Sequence, residues 1–206
     1  MKYVSKNKTY SKILEVGKRS FLTNGYDRTN LRDICKELDL TTGAFYRHFD
    51  GKMSLLKALV DDSINELEEL YKSSEIEFFN TLNGDIKKSF LKASADSSLK
   101  FVNFIYDHFD AFTLLLKCSD GTPYEDFVNE LVLKEDEHTL NLIDYLKRNK
   151  YFPKEVNRTE IHMLNHAYFA CIFEAVLHKY KREEAISHIS TVIVFFCNGW
   201  ANVLGL

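Results

Sequence analysis

Thr41, Thr42, Gly43 and Ala44, followed by Tyr46, Arg47 and His48, are the residues whose types and spacing point most directly to chemistry. Two hydroxyls beside two positions with almost no side chain, next to a phenol, a guanidinium and an imidazole, make a surface that can approach a polyanion closely and hydrogen-bond to it. A short helix carrying them fits the major groove of a DNA duplex, where base edges are read by side-chain donors and acceptors and phosphates by cations and hydroxyls. The chemistry expected is recognition without covalent change. An enzyme would need a nucleophile beside a base, a glycine loop for phosphate or a dense metal cluster, and the sequence offers none of these at a telling spacing.

The elements that must position this segment follow from the residues around it. Thr29 is expected to cap a helix in which Leu31, Ile34, Cys35 and Leu38 share one face. Asp39 then occupies a turn that needs left-handed backbone, Leu40 returns to the core, and Thr41 caps the second helix. Phe45 and Phe49, four residues apart, anchor that helix from behind. Upstream, Tyr10, Ile13, Leu14, Gly17, Phe21 and Leu22 form a helical stripe that ends at Gly25, a residue suited to the position just past a helix. The result is a three-helix headpiece with a helix-turn-helix.

Over about residues 10–56 this pattern resembles the N-terminal signature of the TetR family of transcriptional repressors, with matching landmarks at Phe21, Gly25, Tyr26, Thr29, Ile34, Leu40, Gly43, Tyr46, Phe49, Lys52 and Leu55. Departures are Val16-Gly17 where the family usually has two alanines, Cys35 for a common Ala, Asp39 for a common Gly and Ala44 for a common Thr. The resemblance implies that Tyr46 and Lys52 touch phosphates, while Thr29, Thr41, Thr42, Gly43, Ala44, Arg47 and His48 complete the DNA-binding set. It also implies a homodimer on a pseudo-palindromic double-stranded operator, released when a small, largely hydrophobic effector binds the body of the protein.

Charge divides the chain in the same sense. Residues 1–58 hold twelve Lys or Arg against six Asp or Glu, net +6, whereas the whole chain has 27 against 30, which leaves 15 against 24, or −9, for the rest. A basic headpiece suits phosphate neutralisation and an acidic body is repelled by the duplex. The basic stretch over residues 1–8 is a further candidate for backbone or minor-groove contact. With two prolines, eight glycines and no period-two alternation, the chain reads as all-α: a headpiece over residues 1–50 and a helical ligand-binding and dimerisation domain over 51–206. A first apolar run after the N-terminal lysine is missing, and an unbroken apolar stretch such as Val192–Cys197 is far too short to span a bilayer, so a cytoplasmic protein without membrane attachment is expected. Cys35, Cys118, Cys171 and Cys197 are widely separated and read as reduced thiols.

In the body, helices are expected near residues 52–71, 85–106, 109–118, 124–149, 158–181 and 184–204. The last two are apolar on two sides, so one side packs on the body and the other on a second copy, with Ala167, Ala170, Leu177, Val192, Phe195 and Val203 as the dimerisation candidates. The walls of an effector cavity are expected from Phe101, Phe104, Ile105, Phe112 and Leu115, together with Phe169, Phe173 and Trp200, and Glu174 is the polar exception that could meet a cationic ligand. His162 and His166 share a helical face but lack an evident third ligand, so no metal and no cofactor are expected. A helical protein-protein adaptor is the competing function, and it leaves the basic headpiece unexplained.

Overall fold

The computed structural model describes residues 2–206, with side chains from Lys8 onward; the basic stretch over residues 1–8 therefore lies, Lys8 apart, outside the described side chains. The described residues form helices and loops without a strand. They group into two compact units, Met1–Glu66 with His108–Glu125, and Leu67–Asp107 with Asp126–Leu206. The division expected after residue 50 instead falls inside a helix, and the first unit also takes in a short segment from the middle of the chain.

The first unit is built on α1 (Lys2–Arg28), α2 (Leu31–Glu37), α3 (Thr42–Phe45), the start of α4 (Lys52–Thr81) and α6 (Phe109–Lys117). α1 is broken at Gly25, whose φ of 78° belongs to the left-handed region that glycine enters without a Cβ penalty. Its core is Ile13, Phe21, Ile34, Phe45, Leu55 and Leu56, each almost wholly buried and each contributing about 1.5–3 kcal/mol by leaving water. Gly17 is explained by this packing: a Cβ there would stand 2.6 Å from Cδ2 of Leu55, which is itself fully buried. α6 is tied in by an ion pair from Lys18 to Asp110 at 2.6 Å and by the Cys118 thiol donating to the Phe21 carbonyl at 3.3 Å. Burial pushes that thiol's pKa up.

The second unit comprises the rest of α4, α5 (Ile86–Asp107), α7 (Phe127–Arg148), α8 (Arg158–Leu177) and α9 (Arg182–Leu204). α5 packs on α9, α7 on α8, and α8 on α9. Phe78, Leu82, Phe90, Leu142, Leu146, Ile161 and Leu204 gather into one apolar cluster. Asn157 and Glu160 close a reciprocal capping box that starts α8, each side chain bonding the other's backbone amide at 2.9 Å. α4 continues ten residues beyond its expected end at Tyr71, because Phe78 and Leu82 give its last turns an apolar face to bury. α9 is long and apolar enough to cross a bilayer by length and composition, yet Ala185, Ile189, Ile193, Cys197, Ala201 and Leu204 form a stripe buried within this unit.

Candidate nucleic-acid interface and effector cavity

α3 is started by Thr41, whose hydroxyl accepts from the Ala44 amide at 3.1 Å, and is preceded by Asp39 at φ 53°, the left-handed turn expected of it. Phe45 and Phe49 are buried beneath it with ring centroids 5.6 Å apart, and Tyr10 of α1 stacks on Phe49 at 4.9 Å. Anchored from below, the helix turns Thr41, Thr42, Gly43, Tyr46 and Arg47 outward, with Tyr46 56% exposed. Nothing lies closer than 4.0 Å to a Cβ added at Gly43, so the glycine answers no packing demand inside this unit. Ala44 and His48 are half-buried.

One expected cap is corrected by the geometry. Thr29 does not cap α2; Asn30 does, accepting from the Arg32 amide at 2.9 Å. Thr29 is 4% exposed and its hydroxyl donates to the Gly25 carbonyl at 2.8 Å, so it ties the end of α1 down from inside, at the edge of the cleft it shares with Thr42 and Tyr46. A Thr two residues before a helix and an Asn one residue before it are alike as caps in sequence, and burial decided between them. Lys52 donates to the carbonyls of Tyr26 at 2.7 Å and Asp27 at 3.1 Å and lies over the Tyr26 ring at 4.2 Å. Its ammonium thus closes the end of α1 while bordering the same cleft as Thr42, Tyr46 and Arg32. Arg28 and Arg32, both exposed beside Asn30, belong to this basic surface and were missed; their signal was a pair of arginines bracketing a helix N-terminus.

The second unit holds a cavity of about 330 Å³, partly open to solvent and lined by residues of α4, α5, α7, α8 and α9. Only Phe101 and Trp200 of the expected walls line it. Ile105, Phe169 and Phe173 are core side chains and Phe104 is half-buried away from it, while Phe112 and Leu115 belong to the first unit. Helical periodicity marks a residue as inward-facing but cannot say whether a neighbour or a void meets it. Glu174 is exposed and pairs with His178 at 2.9 Å on the surface, so it is not the cavity's carboxylate.

That place is taken by Glu135 of α7. Its carboxyl pKa is raised, chiefly by burial and further by Asp136 and Glu75, with His138 acting the other way. Tyr71 and Tyr168 face the same cavity, and burial together with the Glu135 charge pushes both phenols up. Cys197 is raised to about 11 by burial. Ser94, Ser97 and Ser98 give the α5 wall a polar strip, and the Tyr168 hydroxyl donates to Ser98 at 2.8 Å. These residues escaped the sequence reading, although Glu135, His138, Thr139 and Leu142 follow helical spacing and three serines within five residues of one helix are unusual for a packed face.

Beside the cavity, Asn165 of α8 donates to Asp136 at 2.9 Å and His162 Nδ1 lies 2.8 Å from the same carboxylate. His166 is 6.4 Å from His162 by ring centroids, and among the described residues no three metal-ligating side chains come together. The outer face of α8 and α9 is apolar. Met163 is 66%, Val194 61% and Phe195 72% exposed, with Ala167, Ala170 and Cys171 exposed beside them. Leu177, Val192 and Val203, also expected there, are half-buried because they flank the inward stripe.

A buried three-helix scaffold presenting an exposed α3, joined to a helical unit with a polar-lined cavity, defines a helix-turn-helix protein of the two-unit, all-helical class. Residues 13–59 match the family model described as bacterial regulatory proteins, tetR family. Over 109 residues the chain is 32% identical to the HTH-type transcriptional regulator TtgR of Pseudomonas putida, covering 51% of this chain and 52% of that protein, so the match spans about half the relative's length. The family likeness is therefore carried by residues 13–59, the stretch that holds α2 and α3. Two solved structures share the fold: a TetR-family transcriptional regulator from Bordetella parapertussis (TM-score 0.61, 19% identity, 95% of this chain and 97% of that one) and a transcriptional regulator from Aquifex aeolicus (TM-score 0.57, 18% identity, 95% and 99%).

Proposed function

We propose that the protein is a transcriptional repressor of the cytoplasm that binds a pseudo-palindromic operator as a homodimer and releases it when a small molecule enters the cavity of the second unit. The observation that carries this reading is the exposed surface of α3, with Thr41, Thr42, Gly43, Tyr46 and Arg47 turned outward from a buried aromatic anchor within the net-basic first 58 residues. Polar side chains held at fixed positions on a short helix suit base-edge contact, and the surrounding Arg28, Arg32 and Lys52 suit phosphates.

The apolar face of α8 and α9 supports the dimer. Exposed Met163, Val194 and Phe195 on neighbouring helices form the sort of patch that a two-fold copy covers as a four-helix bundle. α4 supports the regulatory link, because the same helix carries Lys52 at its start and Tyr71 on the cavity wall. An effector releases DNA only if it binds better to a conformation in which the two headpieces miss their half-sites, since a ligand indifferent to both states shifts nothing.

The test is binding of the full chain to duplexes by fluorescence anisotropy over a range of salt. Affinity that falls steeply with salt, and that is lost selectively for the preferred sequence in Thr42→Ala, is the expected result. Salt-independent binding, or none, would leave a helical adaptor as the better reading.

A further inference from the structure

The cavity is not a neutral hydrophobic pocket. Four carboxylates, Glu68, Glu75, Glu135 and Glu137, reach it against the ammonium groups of Lys72 and Lys134 and the imidazole of His138. Most of these charges are already matched. Lys134 pairs with Glu68, Lys72 pairs with Glu69 at 2.7 Å, and Glu75 accepts from Asn141 at 3.2 Å and lies 3.5 Å from His138. Glu137 is exposed. Glu135 is the exception: no hydrogen bond or close ion pair of its carboxylate is found among the described residues, and the one imidazole that attracts it, His138, already faces Glu75 at 3.5 Å, while Glu135 keeps a surface toward the cavity.

The walls around that carboxylate are aromatic. Tyr71 stands edge-on to Phe101 with centroids 6.0 Å apart, Tyr168 to Phe196 at 5.4 Å, and Phe78 to Phe90 at 6.3 Å. A desolvated anion without a partner destabilises a protein, and such a group persists where a ligand supplies the missing charge. An anionic ligand would be repelled by Glu135 and Glu75, and a neutral one would leave Glu135 unmatched. A cation close to the carboxylate would also lie against ring faces that attract positive charge.

We infer that the effector of this site is a monocationic, aromatic or otherwise apolar small molecule whose ammonium or iminium centre sits against Glu135, with the ring faces of Tyr71, Tyr168 and Phe101 around it and the serines of α5 at its polar edge. The inference rests on the reading of the cavity as an effector site. At about 330 Å³ the space lies near the lower end of the roughly 300–1,000 Å³ range of ligand sites, so the molecule is compact.

The test uses three probes of similar size and different charge, N-benzylpyridinium, neutral diphenylmethane and anionic diphenylacetate, titrated into the full chain by calorimetry and followed in parallel by thermal melting and by release of bound duplex. The expected result is binding and stabilisation by N-benzylpyridinium alone, weakened about tenfold in Glu135→Gln, which preserves shape and removes charge, and abolished in Ser97→Trp, which fills the cavity. Equal binding of N-benzylpyridinium by the Glu135→Gln protein, tighter binding of either other probe, or no binding of the cation would overturn the inference. The two readings separate in the DNA arm. If the cation binds through Glu135 but never releases duplex, the effector reading fails and the charge preference stands. If diphenylmethane or diphenylacetate binds, is blocked by Ser97→Trp and releases duplex, the effector reading stands and the cation preference falls.

Discussion

The α3 surface and the cavity of the second unit solve opposite electrostatic problems. On α3 the polar side chains are exposed and sit in the net-basic first 58 residues, so they stay hydrated in the free protein. In the cavity, Glu135, Tyr71 and Tyr168 are half-buried, and the partial loss of water raises the pKa of each. A surface of the first kind gains affinity from long-range attraction and loses it to salt; one of the second kind selects by leaving the wrong ligand unpaired. The same chain thus pairs an exposed polar surface in its basic segment with a partly buried cavity lined by carboxylates and aromatic rings.

Disrupting the outer face of α8 and α9 gives the largest expected effect. Val194→Asp combined with Phe195→Asp places charge at two strongly exposed apolar positions and should convert the dimer to monomer, with DNA affinity falling by about a hundredfold or more as the second half-site is lost. Sedimentation velocity checks the assembly, and a wild-type monomer at micromolar concentration would contradict it. On α3, Thr42→Ala should cost about 1–3 kcal/mol on the preferred duplex and little on random sequence. Gly43→Ala sharpens the point: the added methyl meets nothing within the unit, so thermal stability should hold or rise while DNA affinity drops.

What the sequence disclosed follows the same divide. The headpiece is encoded within one contiguous stretch, so the stripe from Tyr10 to Leu22, the left-handed Asp39, the Thr41 cap and the Phe45–Phe49 anchor are all local and were readable. Thr29 misled because capping residues one position apart look alike until one of them is seen to be buried. The cavity draws on five helices spread over residues 68–200, and no local pattern tells a wall from a core. Phe169 and Phe173 stack on each other at 5.9 Å inside the core, and Glu174, the polar residue in an apolar helix, points out to His178.

Smaller effects separate packing from function. Gly17→Ala gains helix propensity but drives a methyl against Leu55, and overpacking should prevail by about 1 kcal/mol of lost headpiece stability in chemical denaturation. Glu135→Gln should act the other way in the unliganded protein. Burial raises the folded-state pKa of Glu135 above its unfolded value, so folding binds a proton and stability falls as pH rises through that interval. The Gln variant lacks this loss and should melt above the wild type at about pH 7, with the gap closing toward about pH 4. Asp39→Gly relieves a left-handed aspartate and should raise headpiece stability by roughly 1 kcal/mol or less.

The central claim is that a dimer reads DNA through α3, and its most direct measurement is selection of duplexes from a randomised pool by the full chain, followed by sequencing. The account predicts enrichment of an inverted repeat whose half-site centres lie about one helical turn or a small multiple apart, with the enrichment lost in Thr42→Ala. Retention of duplexes with no shared repeat, or the same repeat enriched equally by the Thr42→Ala protein, would contradict it.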